Sequence, residues 1–224
     1  MKTRFVLLPV IISSLLFNSC IKHTTENSLP YYQFTADDKT KLLVGYNTGD
    51  VLVYKNQEND EMRFAIVSSV SGKTLYATGT FWGNDVESYF YYDQQSIVME
   101  YAPGYEWSNC EITLKRYPAG SNYNLQYPVV GTPAFVGYIA FPLWNSYSDS
   151  ISLDNSIHID FNARTTSMTI NGKTYAKVRI IQSGTTQVLD PNSTFPKNVN
   201  TLYYDQNAGI VGFDDVNGKM WRLQ

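Results

Sequence analysis

Histidine, cysteine and long apolar runs are the scarcest features of this 224-residue chain, and each shortage closes off a class of function. The two histidines are His23 and His158, and the two cysteines are Cys20 and Cys110. A structural or catalytic zinc site wants three or four His, Cys or acid ligands, and neither a second imidazole nor a thiolate pair accompanies His158 in the body of the chain. Basic runs are missing as well. The 17 Lys and Arg residues are scattered among 20 acidic ones, which removes the electrostatic footprint of a nucleic-acid binder. No Gly-x-Ser-x-Gly elbow, His-Glu-x-x-His pair or phosphate-cradling glycine loop is present. These absences imply neither a metal nor an organic cofactor.

What is there begins at the N-terminus. Lys2 and Arg4 precede an apolar run from Phe5 to Phe17 that ends at the small residue Ser19, the layout of a secretory signal peptide. The run holds Pro9, Ser13 and Ser14 and falls short of the roughly 20 apolar residues that a membrane-spanning helix needs, so removal of residues 1–19 is expected. The stretch Leu16-Phe17-Asn18-Ser19-Cys20 resembles the lipobox of bacterial lipoproteins, with Asn18 bulkier and more polar than most such motifs carry. The resemblance implies acylation of Cys20. Two or three acyl chains hold a protein at a bilayer, since each buried methylene contributes about 0.8 kcal/mol. The alternative is an ordinary secreted protein with a chance cysteine at position 20.

Processing at Cys20 leaves 205 residues, the 224 less 19, and takes the basic count from 17 to 15 against 20 acids, a net charge of −5. With Cys20 acylated, Cys110 has no internal partner, and stability must come from a hydrophobic core. Residues 20–30, polar and closed by Pro30, read as a tether, and residues 31–224 as the folded domain.

Aromatics make up 15% of the chain, with 18 tyrosines, a composition that suits pleated sheets. Thr35 followed by Asp38 predicts one capped helix running through Leu42 and Leu43 to Gly45. From Asp50 onward, period-two patterns predict strands near 50–56, 61–69, 73–80, 86–93, 96–102, 109–116, 134–141, 156–162, 166–171, 173–182, 200–205, 208–214 and 219–223. Asn171-Gly172 and Asn217-Gly218 predict two-residue hairpins. The fold class expected is mainly β, an antiparallel sandwich or open barrel with one short N-terminal helix. Tyr91-Tyr92-Asp93-Gln94 recurs as Tyr203-Tyr204-Asp205-Gln206, which raises the alternative of two duplicated β units over 31–120 and 134–224.

The second half carries a wider pattern. Asn171-Gly172-Lys173-Thr174-Tyr175, Leu202-Tyr203-Tyr204-Asp205, Gly209-Ile210-Val211-Gly212-Phe213 and Asn217-Gly218-Lys219-Met220-Trp221-Arg222-Leu223, together with the N-terminal layout, resemble a set of uncharacterised Bacteroidetes lipoproteins of flavobacterial type. These have a lipobox, a short tether and one aromatic-rich β domain at the C-terminus. The resemblance implies organism group, fold class and an outer-membrane address, and no activity. Surface export in that phylum looks for acidic residues just after the lipidated cysteine. Ile21-Lys22-His23 stand there, which favours the periplasmic face. Asp149-Ser150-Ile151 resembles the O-glycosylation triplet of the same group, with Ser150 as acceptor.

Candidate chemistry is thin. His158 alternates with Asp160 in Ser156-Ile157-His158-Ile159-Asp160, the spacing of a base and its carboxylate or of two solvent-facing strand positions. A Cys110–His158 dyad would meet the requirements of thiol catalysis, whereas a small buried hydrophobe is the ordinary role for a strand cysteine beside Ile112 and Leu114. Glu87, Asp93, Glu100, Glu106 and Glu111 supply the carboxylates of an envelope hydrolase if two of them converge. Asp214, Asp215 and Asn217 supply half of a calcium loop or, more simply, a hairpin turn. Trp82, Trp107 and Trp144, with Tyr105 and Tyr147, sit near Gly, Asn, Ser or Pro as ligand-stacking residues do. Core packing is the other use for such rings, and Trp221 in the last strand is read as core. The function expected is a non-catalytic envelope module that binds a glycan, a peptide or an envelope partner, the hydrolase being the alternative.

Overall fold

The computed structural model describes residues 29–79, 86–102, 109–118, 133–145, 156–189, 191 and 197–224. Among these the chain is mainly β, and its antiparallel sheet curls into a half-barrel with one short helix. Six strands follow one another up and down: β2 Val51–Lys55, β3 Glu61–Gly79, β4 Val86–Ala102, β5 Asn109–Pro118, β6 Pro133–Ala140 and β7 Ser156–Ile159. Five more form a second meander: β8 Thr166–Ile170, β9 Lys173–Gln182, β10 Val199–Asp205, β11 Gly209–Asp215 and β12 Met220–Leu223. The two join where β12 pairs antiparallel with β2, at Arg222 with Lys55 and Leu223 with Tyr54. A two-residue strand, β1 Tyr31–Tyr32, lies parallel to β4 at Tyr91 and Tyr92.

Alternation puts one face of each strand inside the curl. Ile66, Ile97, Ile112, Leu114, Ile139 and Ile159 line it from the first meander, and Leu202, Tyr204, Ile210 and Phe213 from the second. Rings lock the two together. Phe213 lies 5.2 Å from Tyr54, 5.2 Å from Phe141 and 5.9 Å from Trp221, so Trp221 is core as its strand pattern implies. At roughly 1.5–3 kcal/mol for each large apolar side chain fully buried, this core dominates the surface ion pairs, which contribute about 0–1 kcal/mol each.

The open side of the curl is bridged by the chain itself. Val199 donates its N–H to Leu143 (2.9 Å) and accepts from Asn145 (2.8 Å), tying the segment after β6 to the start of β10. Arg179 on β9 donates to the carbonyls of Asp160 (2.9 Å) and Phe161 (2.8 Å), where the chain leaves β7 for β8.

Three expectations need correction. The strands expected separately at 61–69 and 73–80 run on as one, β3, with Gly72 paired to Gln94, just as those at 86–93 and 96–102 run on as β4. The helix α1 stops at Ala36–Lys39 although its capping box forms, with Asp38 N–H to Thr35 Oγ1 at 3.1 Å and Thr35 N–H to Asp38 Oδ2 at 2.8 Å. Partners from elsewhere in the chain take the groups that the next helical bonds would use, Val44 N–H going to Asn207 O at 3.1 Å. Asn207 donates to Thr40 (2.8 Å) and Leu42 (3.2 Å), and Gln95 brackets Leu43 by accepting its N–H and donating to its C=O, both at 2.9 Å. Asn171-Gly172 forms the two-residue hairpin, with φ of 50° and 78°, whereas Asn217-Gly218 sits in a longer turn in which Gly218 N–H bonds Asp215 O and Asp215 N–H bonds Lys219 O. There Asp215 Oδ1 accepts from the N–H groups of Asn217 and Lys219 and so serves the hairpin, whereas Asp214 accepts from Tyr203 Oη and Arg222 on the neighbouring strands.

The two Tyr-Tyr-Asp-Gln segments stand in different surroundings. The first lies inside the unbroken β4, whereas the second closes β10 at a turn where Asp205 accepts from Asn207 and Ala208. Tyr204 faces the main core, while Tyr92 belongs to a separate aromatic cluster.

Gly209 opens β11 at a φ of +68°, and a Cβ there would run into the Tyr46 hydroxyl. Strain and crowding each cost about 1–3 kcal/mol, so Gly209→Ala should lower unfolding free energy by roughly 2 kcal/mol or more in urea titrations. Gly72→Ala, with open space around the new methyl, should leave it within about 0.5 kcal/mol.

Candidate functional site

The sequence-derived site residues disperse. Cys20, Trp82, Tyr105, Glu106, Trp107, Tyr147 and Ser150 lie outside the described residues, as does the side chain of Glu87. Trp144 is 8% exposed and packs in the core, because the segment carrying it crosses the open side of the curl to reach β10. A ring in that position stabilises the closure and is not available to stack on a ligand.

Cys110 and His158 face opposite sides of the sheet. Cys110 packs among the core residues, and burial raises its thiol pKa well above the ordinary value, with the nearby Glu111 adding to the effect. His158 is exposed on the outer face, its ring 5.5 Å from that of Tyr138. The carboxylate of Asp160 turns away to cap the following turn at Asn162 N–H (2.9 Å). Among the described residues no group of three His, Cys, Asp or Glu side chains is placed to hold a metal ion.

The acids divide in the same way. Asp93 shares the inner face with Ile97, accepting from Tyr31 Oη (2.5 Å) and Phe34 N–H (2.7 Å). Glu111 lies on the outer face and accepts from Ser96 and Thr113 hydroxyls, both at 2.9 Å. Exposed Glu100 is its diagonal neighbour across β4 and β5, at the roughly 7–8 Å that such pairs keep. That pair stands on the outer surface of the sheet.

No family model, curated protein or solved structure matches this chain. The geometry alone therefore has to nominate a site, and two places stand out.

The first is internal. Arg179 and Tyr204 are directly paired across β9 and β10, and both are buried. Two guanidinium nitrogens bond carbonyls and the group lies 5.2 Å over the Phe161 ring, yet Nη1 has no partner, and neither has the Tyr204 hydroxyl. No carboxylate is ion-paired with the guanidinium among the described residues. Tyr46 and Tyr54, by contrast, donate to Ala208 O (2.7 Å) and Ile210 O (2.8 Å). Burial raises the pKa of all three phenols. Sequence reading missed Arg179 because a lone charge in an alternating strand looks solvent-facing. Both orphaned atoms are tightly enclosed, and the arrangement reads as a seam between β7 and β9.

The second place is an arm. β5 pairs with β4 only from Gln94 onward, so the β3–β4 hairpin runs past the curl, and β1 takes up the vacated edge. The outer side of the arm's root is packed with aromatics, Tyr76 stacking on Phe90 at 4.8 Å beside Tyr92 and Tyr117. Its other side presents Tyr31, Lys73 and Leu75. The Lys73 ammonium sits 3.6 Å from the Tyr91 ring centre and 4.9 Å from that of Tyr31. The Asp93 hydrogen bond pushes the Tyr31 phenol up to about 12. Tyr31, Lys73 and Leu75 were marked by no motif, since β1 is two residues long and its pairing is decided at a distance.

Two measurements follow from the interior. Tyr204→Phe removes a buried hydroxyl that lacks a partner and should raise unfolding free energy by about 1 kcal/mol, while Tyr54→Phe should lower it by a similar amount. In the folded protein Cys110 should not react with an aromatic disulfide reagent and should react fully once urea unfolds the chain, Cys20 being counted separately.

Proposed function

We propose that this chain is a lipid-tethered protein of the bacterial cell envelope, acylated at Cys20, held at the periplasmic face of the outer membrane, and working by binding an envelope partner rather than by catalysis. The arm supports this reading. A two-stranded projection with Tyr31 38% and Leu75 40% exposed, a lysine between them and a tether arriving at its base is a contact surface held out from the body. Tyrosine contributes amphipathic contact area at low conformational cost, and a lysine stem covers apolar surface while its charge stays wet. The candidate thiol and imidazole face opposite sides of the sheet, and Asp93 lies on the inner face while Glu100 and Glu111 stand on the outer one, so among the described residues no single place gathers the groups that the alternative reading, a hydrolase using paired carboxylates, would draw on.

The first test is the intact mass of the protein extracted from its own envelope. A chain beginning at Cys20 and carrying fatty acid is expected, and a chain with Met1 intact or one free in culture fluid without acyl groups would overturn the anchor. The second is recovery of envelope components on the immobilised lipidated protein. Tyr31→Ala should reduce retention of a specific partner roughly tenfold, the effect of losing about 1.4 kcal/mol at an aromatic contact. Equal retention by both forms would remove the arm from the binding surface.

A further inference from the structure

We infer that the partner of the arm is the bilayer itself, with Tyr31, Lys73 and Leu75 lying against the headgroup layer that holds the tether; this rests on the reading of Cys20 as the anchored residue. The described chain starts at Leu29, and Pro30 O already accepts the Tyr91 N–H at 2.8 Å, so the tether joins the body on the arm. From Cys20 to Leu29, full extension covers about 30 Å at roughly 3.3–3.6 Å per residue. Along β3 from Leu75 back to Glu61 the strand rises roughly 46 Å at about 3.3 Å per residue. The molecule therefore cannot stand with its Glu61 end on the bilayer, because the tether would not reach. That far end carries Glu58, Asp60 and Lys219 in an exposed ion-pair cluster, which has no affinity for hydrocarbon.

The face brought near the membrane has the chemistry of an interface. Tyr31 and Leu75 offer apolar surface, and the Lys73 ammonium is placed to meet lipid phosphate. The acid opposite Lys73, Asp93, is occupied by the Tyr31 hydroxyl and the Phe34 N–H. Each contact alone is weak, but a short tether raises the local concentration to the millimolar range, where weak contacts are populated.

The test uses the chain from Cys20 with that thiol coupled to a maleimide phospholipid, so the outcome does not depend on acylation in the cell, which the intact mass reports separately. The protein is placed in nanodiscs of phosphatidylcholine and phosphatidylglycerol containing a gadolinium-chelating headgroup, and methyl NMR signals are followed. Loss of the Leu75 methyl signals with retention of the Met220 signal is expected, since Met220 N–H is held by Gln57 at the far end. Lys73→Glu should restore the Leu75 signals. Retention of the Leu75 signals, or their loss together with that of Met220, would overturn the inference and leave the arm to a protein or glycan partner.

Discussion

The short pairing of β12 with β2 is the contact on which the rest of the molecule depends. Each meander alone has one apolar face with nothing to cover it, and a sheet of this kind is stable only when that face is buried. Bonding the last strand to the first full one makes a single surface that curls far enough for its own ends to face each other across the core. Tyr54 sits at the join. Its ring lies between Phe64 of the first meander and Phe213 of the second, and its hydroxyl reaches Ile210 O on β11. The N-terminal segment adds a second tie, for Tyr46 bonds Ala208 O and Leu43 is bracketed by Gln95 from β4.

A curl that stops short of closure leaves two edges, β7 and β8, and polar groups manage them. Arg179 spans the gap through carbonyls and lies over Phe161. A buried guanidinium without a carboxylate is costly, which is why its bonds to two carbonyls and a ring face matter. The Asn145–Val199–Leu143 bridge does the same at the other end of β10. Trp144 fills the space beneath that bridge, so an aromatic that resembles a ligand-stacking residue in the sequence is consumed by closure.

The same packing leaves little but the outside of the sheet exposed among the described residues. The inner face is occupied by large apolar side chains and by tyrosines bonded to main-chain carbonyls, while the reactive residue types are spread over two faces of one sheet. The arm escapes this because β4 outruns β5, leaving an edge that β1 fills and, among the described residues, a face that no other strand covers. The first described residues, Leu29 and Pro30, and the exposed Tyr31, Lys73 and Leu75 thus share one end of the sheet.

Local rules settled much of this in advance. Period-two alternation, the Asn171-Gly172 turn and the Thr35–Asp38 box are written in neighbouring residues, and the strands and caps they specify are present where the chain spells them. Other features depend on residues far apart in the chain. Ser71-Gly72-Lys73 has the composition of a turn and becomes strand because Gln95, Gln94 and Asp93 pair with it; α1 halts because Asn207 and Gln95 capture the next backbone groups, Thr40 C=O and the N–H of Leu43 and Val44. Arg179, Trp144 and the arm belong to the same group. Sequence pattern determined which segments are strands and which face of each is apolar, because those depend on side chains two or four positions apart. Which strands meet, and so which polar groups end up enclosed or exposed, was decided only in the tertiary structure, where the need to bury both apolar faces in one core overrides local preference.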